Sequence, residues 1–450
     1  MTVPSHPYIE INPHIPPAPA ASTWTRFIHQ LEPYEFTGWI DESRSWKETA
    51  YIGDWSSLSN KVVVKGPDAI RFFEAISVNS FAKFEVGQAK HSIQCAQDGK
   101  IVSEGVLMRL GEDEVKFTSG PIYWTEYQFE KGGYDATLEQ RGTNDFIIQI
   151  QGPASLHILE NASGELQRDY GFMRLRQIRV GGAPVWSLRQ GMSGELGFEL
   201  HGRGEDALTV HNALLEAGAS FNVRRLGGRA KMVNHVEACF PTPLVDYMPA
   251  LHSDPAFVAF LEQRYPEMLA LDHYPVLGSH RVEEQRALYR DPTELGWRKS
   301  IKFDHEFVGC DALRPTVSSP RRKMVTLVWD KEDVKSVYAS LFDAAEPYSF
   351  MEMPRALFDG LAIDSVTVND REIGVSTSRC YSYHFRDMLS LCSIDCEHAD
   401  IGSRVTVWWG SRGQPLKEIR ATVAAAPYKR DNRRIDVASL PILLQKSPGS

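Results

Sequence analysis

The sequence predicts an α+β protein: two related units with antiparallel sheets, followed by a C-terminal β-barrel or sandwich. Three observations carry that expectation. A strand, a Gly-Pro step and a helix occur twice, as KVVVKGPDAIRFFEAIS (61–77) and DFIIQIQGPASLHILENAS (145–163). Turn-punctuated, strand-like runs follow each copy. After SSPRRK (318–323) the chain becomes a series of short β-branched runs between turns, over about 125 residues.

Taken in order, residues 1–45 are proline-rich at the start, MTVPSHPYIEINPHIPPAPAAS, and read as an extended segment. They show neither the basic start nor the apolar stretch of a secretory leader. Residues 46–250 hold the duplicated units. NKVVVKG (60–66) is a strand, and GPDAIRFFEAIS (66–77) begins a helix behind Gly-Pro, with apolar residues at helical spacing. Residues 87–119 form a meander with turns at QDGK and GEDE, and IYWTEYQFEKGG (122–133) is a helix closed by glycine. The second cycle repeats these parts: 145–163, then two strands in APVWSLRQGMSGELGFELHG (183–202), then the helix EDALTVHNALLEAGA (205–219). Residues 251–320 mix helix and irregular connections. Residues 321–450 supply the barrel strands MVTLVWD, SVTVND, REIGVSTSRCYSY, MLSLCSI and SRVTVWWG.

The 450 residues include 49 Lys+Arg and 58 Asp+Glu, a net charge of −9. That balance opposes binding to a polyanion such as nucleic acid. No apolar run has membrane-spanning length. Six scattered cysteines, Cys95, Cys239, Cys310, Cys380, Cys392 and Cys396, suggest no disulfide framework, and a reducing cytoplasm is expected. Cys392, Cys396 and His398 match no common zinc spacing, so no metal is expected.

The stretch RQGMSGELGFELHGRG (189–204) invites a reading as a phosphate loop. Its glycines lie between strands rather than before a helix, and Glu195 and Glu199 would repel phosphate. A carboxylate on a strand can instead accept two N–H donors lying in one plane, as on the edge of a pterin. Glycines beside it would let a flat ring approach the backbone. Spacing alone equally permits a hairpin whose glutamates face solvent.

The ordered motifs VVVKGPDAIRFF, IIQIQGPASLHIL, GMSGELGFELHG, GRAKMVNHVEACF and WRKSIKFDHEFVGCDAL, with the barrel after them, resemble the aminomethyltransferase (glycine-cleavage T-protein) superfamily over about residues 45–430. FPTPLVDYMPALHSD (240–254), IKFDHEFVGCDAL (301–313), RRKMVTLVWDKEDVKSVYASLF (321–342) and YSYHFRDMLSLCSID (381–395) bring the chain nearest to the tetrahydrofolate-dependent aryl O-demethylases of the vanillate and syringate type. The resemblance implies a three-domain ring around a channel for tetrahydrofolate. By position it implies that Glu199 binds the pterin, that Arg229 contacts folate, and that Glu237 and Trp297 belong to the cofactor site. Two departures stand out. Met192 replaces a tyrosine of the T-proteins, and Ser103 with Glu104 stands where they carry an acidic pair. Aminomethyl chemistry is thereby put in doubt, while Glu104 could keep an electrostatic role beside the folate.

An aryl ether releases a phenol with a pKa of about 10, so its oxygen needs a proton as the bond breaks. Tyr247 is the expected acid, with Asp246 and His252 as weaker neighbours. An aromatic slot is expected from Trp55, Tyr123, Trp124 and Tyr127, although Tyr123 and Tyr127 at helical spacing equally suit ordinary packing. Their two segments, 53–58 and 119–128, contain no Arg, Lys or His. A benzoate would want a bidentate arginine there, so a neutral methoxyarene or methylenedioxyphenyl lignan is favoured. The expected function is removal of a methyl or bridging methylene group from an aromatic ether, in aromatic catabolism. The alternatives are an aminomethyltransferase or N-demethylase acting on an amine, and a non-catalytic folate-binding module.

Overall fold

Each Gly-Pro step turns a strand into a helix through a glycine in a backbone region closed to other residues. Gly66 has φ +142°, and a Cβ there would lie 2.6 Å from the Ala136 Cα. Gly152 has φ +123°, and a Cβ there would lie 2.7 Å from the Thr49 carbonyl oxygen. The equivalence of the two positions marks the repeat in three dimensions. The computed structural model describes residues 10–11, 21–27, 30–120, 122–353, 360–411 and 413–444.

In the first unit, strand Asn60–Lys65 lies between Glu114–Ser119 and Thr137–Gln140, and the antiparallel sheet continues through Ile101–Gly111 to Ala89–Cys95. Helices Ala69–Ile76 and Tyr123–Gly132 belong to this unit. Phe72, Phe73, Val62, Val64 and Phe117 fill its core. In the second unit, Asp145–Gln151 lies between Gly197–Arg203 and Tyr51–Asp54, and the sheet extends through Ala183–Leu188 to Leu175–Val180. Tyr51–Asp54 precedes the first unit in sequence yet completes the second. It takes the place that Thr137–Gln140 holds in the first sheet.

The C-terminal region closes as a six-stranded barrel in the order Arg322–Trp329, Asp387–Asp395, Arg371–Ser382, Asp364–Val368, Arg404–Trp409 and Lys417–Ala424. Leu327, Val366, Ile373, Ile394, Val407, Ile419 and Val423 are fully buried in its core. The connection 251–320 is α-helical only in Pro255–Arg264 and Cys310–Ser318, with 3-10 helices elsewhere, the longest being Pro266–His273.

The reading of 1–45 as extended needs correction. A hairpin of Thr23–Phe27 and Gln30–Glu35 is present, and helix Trp39–Glu48 crosses the expected boundary. The buried Glu42 carboxylate accepts from the backbone N–H groups of Phe36 (2.6 Å), Thr37 (3.1 Å) and Gly227 (2.7 Å), tying this helix to the start of helix Gly228–Ala238. One apolar cluster then spans all the units: Trp46 from the N-terminal helix, Ile93 from the first sheet, Ile147 from the second, Val236 from helix Gly228–Ala238, and Leu389 from the barrel.

Candidate functional site

Against that shared cluster lies a cavity of about 1620 Å³ whose wall is drawn from both sheets, helix Gly228–Ala238 and the segments 240–249, 267–275 and 295–302. Its inner polar group comes from one register pair. Gln149 lies directly opposite Glu199 across the second sheet, and Gln149 Nε2 donates to Glu199 Oε2 at 2.8 Å. Gln190 Nε2 donates to the same oxygen at 2.9 Å, and Oε1 lies 2.8 Å from His201 Nε2. Glu199 is only 4% exposed. Burial alone would push its carboxyl up, but the bonds from His201, Gln190 and Gln149 hold it below the ordinary 4.5, so it is an anion at neutral pH. Three of its four acceptor directions are therefore filled from within the protein. The direction left on Oε1, together with the amide groups of Gln149 and Gln190 on the same wall, makes a mixed donor and acceptor surface.

Of the residues singled out in the sequence, Trp55, Glu104, Tyr123, Glu199 and Trp297 line the cavity. Trp55 stacks on Tyr51 with centroids 6.2 Å apart, and Lys231 Nζ sits 4.6 Å above its ring. Tyr123 packs against Tyr265 at 4.3 Å. Glu104 Oε2 lies 2.8 Å from His91 Nε2, and Trp297 meets His91 edge-on at 4.8 Å.

The other seven candidates, Arg229, Glu237, Trp124, Tyr127, Tyr247, Asp246 and His252, stand off the wall. Arg229 turns the opposite way from Lys231 on one helix, because two residues rotate a helix by about 200°. Its guanidinium pairs with Glu35 at 3.3 Å and lies over the Tyr34 and Trp39 rings, bracing the N-terminal hairpin. Glu237 accepts from Trp46 Nε1 at 3.1 Å and Ser382 Oγ at 2.6 Å, joining the N-terminal helix to the barrel. Trp124 and Tyr127 pack on Phe257 in a separate core cluster. Tyr247, the expected acid, is 1% exposed and lies behind the wall, where its hydroxyl has no partner among the described residues. Burial pushes that phenol well above 10. Asp246 is taken up by Ser378 and by Thr377 (2.6 Å), and His252 pairs with Asp272 at 2.7 Å.

Sequence reasoning missed Gln149, Gln190, His91 and Lys231. The glutamines carried a signal: Gln149 and Gln151 alternate with isoleucines in a strand otherwise wholly apolar after Asp145. His91 carried none, since its partner 13 residues away is set by the sheet register. The cavity wall is also not free of cations, because Lys90, Lys231, Lys302, Arg433 and Arg434 reach it from outside segments 53–58 and 119–128. Lys90 donates to the Ser80 carbonyl (2.7 Å), Lys231 to that of Asp54 (2.7 Å), and Arg433 pairs with Asp431 (2.7 Å). Lys302 and Arg434 are exposed and have no such partner among the described residues. No group of three His, Cys, Asp or Glu among the described residues could hold a metal, and no described helix is long and apolar enough to cross a membrane.

Residues 20–256 match the family model described as the GCVT N-terminal domain. The chain belongs to this family, the aminomethyltransferase superfamily of folate-dependent one-carbon transferases, whose carrier is tetrahydrofolate. It is 36% identical over 427 residues to the sesamin methylene transferase of Sinomonas sp. (strain No.22), covering 91% of this chain and 93% of that one. It is 31% identical over 418 residues to the syringate O-demethylase of Sphingobium sp. (strain NBRC 103272 / SYK-6), covering 88% and 89%. The crystal structure of the glycine cleavage system aminomethyltransferase T from Bartonella henselae superposes with a TM-score of 0.68 over 92% of this chain and 96% of that one, at 17% identity, and so shares its fold.

The wall fits tetrahydrofolate. Glu199, Gln149 and Gln190 together present acceptors and donors to a ring edge that carries both, and all three are buried. The cavity exceeds the 300–1,000 Å³ or so that encloses one drug-sized ligand, leaving space for a second.

Proposed function

We propose that this protein removes a methyl or bridging methylene group from an aromatic ether and releases a phenol or catechol, in the breakdown of aromatic compounds. The observation that carries the reading is the pairing of a buried Glu199–Gln149–Gln190 cradle with adjoining aromatic and apolar wall, in one cavity large enough for two ligands. Near-full-length similarity to a sesamin methylene transferase and a syringate O-demethylase supports the ether as substrate class.

Bound tetrahydrofolate supplies the nucleophilic nitrogen that takes up the one-carbon unit. The chain's own residues do the rest. Glu199, Gln149 and Gln190 hold and orient the pterin edge. Trp55 flanks that cradle, with Lys231 fixed above its ring. Tyr123, Leu244, Met268 and Leu271 give the cavity an apolar side suited to an arene. Alignment of this kind lowers the barrier to an in-line displacement by several kcal/mol or more without a covalent enzyme intermediate. Of the wall cations, Lys90 and Lys231 already hold backbone carbonyls, Arg433 pairs with Asp431, and Arg434 lies over the Phe172 ring, while Lys302 is exposed. We therefore favour a neutral arene, such as a methylenedioxyphenyl lignan or a methoxyarene, over a benzoate.

Incubation with tetrahydrofolate and a panel of methoxy- and methylenedioxyarenes, followed by mass spectrometry, tests this. The expected products are a phenol or catechol with methyl- or methylene-tetrahydrofolate. Turnover of aminomethyl or N-methyl donors, with every ether left intact, would overturn it.

A further inference from the structure

We propose that His91, anchored by Glu104, delivers the proton to the ether oxygen as its bond to carbon breaks. The inference rests on the aryl-ether reading above and adds the proton donor that reading lacks, since Tyr247 stands behind the wall.

The sheet register builds the pair. His91 is paired with Val106 across strands Ala89–Cys95 and Ile101–Gly111, and Glu104, two residues from Val106, is its diagonal neighbour on the same face. Both side chains line the cavity, at 31% and 19% exposure. Nε2 of His91 is engaged by Glu104 Oε2 at 2.8 Å. Among the described residues nothing bonds its other nitrogen, Nδ1. Trp297 stands edge-on to the ring with an interplanar angle of 86° and limits its rotation. A carboxylate on one imidazole nitrogen fixes the ring's orientation and supports positive charge on it, while the second nitrogen faces a ligand.

Glu199, Lys231 and His235, which share this wall, are otherwise engaged. Glu199 accepts three bonds, and Lys231 holds the Asp54 carbonyl. His235 lies 2.9 Å from Ser378 Oγ and 3.7 Å from Asp246, and is 4% exposed.

The step balances without an oxidant. The electron pair of the carbon–oxygen bond stays on oxygen, and oxygen takes the proton from Nδ1 to become a phenol. Summed over the reaction, an N–H and a C–O bond are exchanged for an N–C and an O–H bond, so the proton lost by the accepting amine restores the imidazolium. A departing phenolate, whose acid has a pKa of about 10, is basic enough to take that proton.

His91→Gln should be compared with wild type on aryl methyl ethers whose leaving phenols range from acidic nitrophenols to plain alkylphenols. An acid matters most where the leaving group is poorest. The variant should lose about 10²–10⁴-fold in kcat on alkylphenyl ethers and approach wild type on nitrophenyl ethers. An equal loss across the series, or no loss, overturns the role of His91. A wild type that turns over none of the ethers contradicts the parent reading instead. A second readout needs neither turnover nor a variant. Wild-type protein saturated with a phenol, binding being followed by tryptophan fluorescence, should show a changed ¹⁵N resonance for His91 Nδ1. An unchanged resonance at saturation overturns the assignment.

Discussion

Glu195 and Glu199 are four residues apart in one glycine-rich stretch and do different work. Glu199 sits inside the second sheet opposite Gln149 and faces the cavity. Glu195 is held by Lys47 (3.4 Å), Lys429 (2.7 Å) and Asn432 (2.7 Å), binding the loop to the C-terminal segment. The sequence made both visible as acids on strand-like backbone, and only the cross-strand partners separate cradle from brace. The same holds for Arg229 and Glu237, whose motif positions suggested folate and whose side chains join elements. Removing Glu237 strands two buried donors at about 1–3 kcal/mol each. Glu237→Ala should therefore lower unfolding free energy by about 2–6 kcal/mol in a denaturant titration. The folded fraction should bind tetrahydrofolate as wild type does. Arg229→Ala should likewise leave that affinity within about threefold, since the guanidinium does not reach the cavity.

At the scale of elements, strands and helices were legible wherever periodicity and punctuation agreed. Both Gly-Pro turns, the meander and the barrel strands lie where alternation and turn residues place them. The N-terminal hairpin was not legible, because its carboxylate anchor, Glu42, acts on Gly227, 185 residues away. Tyr123, Trp124 and Tyr127 show the same limit within one helix: Tyr123 reaches the cavity while its neighbours pack on Phe257. The segment that follows the barrel is held through Lys429, which is fully buried and donates to the Ser193 carbonyl as well as to Glu195. Burial pushes its ammonium down to about 8, against the opposing pull of Glu195. Between about 8 and the ordinary 10.5 the unfolded chain carries a proton here that the folded chain lacks. This residue's contribution to stability therefore rises with pH across that window. Lys429→Met should remove that part of the rise, measured as the wild-type minus variant difference in unfolding free energy at pH 8 and pH 10.

For the whole molecule, the cavity depends on all the units at once. Tyr51–Asp54 crosses into the second sheet, helix Gly228–Ala238 packs on the barrel strand Arg371–Ser382, and one apolar cluster draws on every part. A ligand that bridges these walls should stabilise the chain as a unit. Tetrahydrofolate at 100 times its Kd should add about 2.7 kcal/mol, read as a rise in Tm that grows with ligand concentration. A Tm insensitive to tetrahydrofolate would mean that the cavity is not its site.

Glu199 is the proposed anchor of the pterin, and calorimetric titration of tetrahydrofolate into wild type and Glu199→Ala tests that directly. A charge-assisted hydrogen bond to a buried carboxylate contributes about 1.5–3 kcal/mol, so the variant should bind about 10- to 150-fold more weakly while keeping its fold by circular dichroism. A folded variant with wild-type affinity would contradict the account.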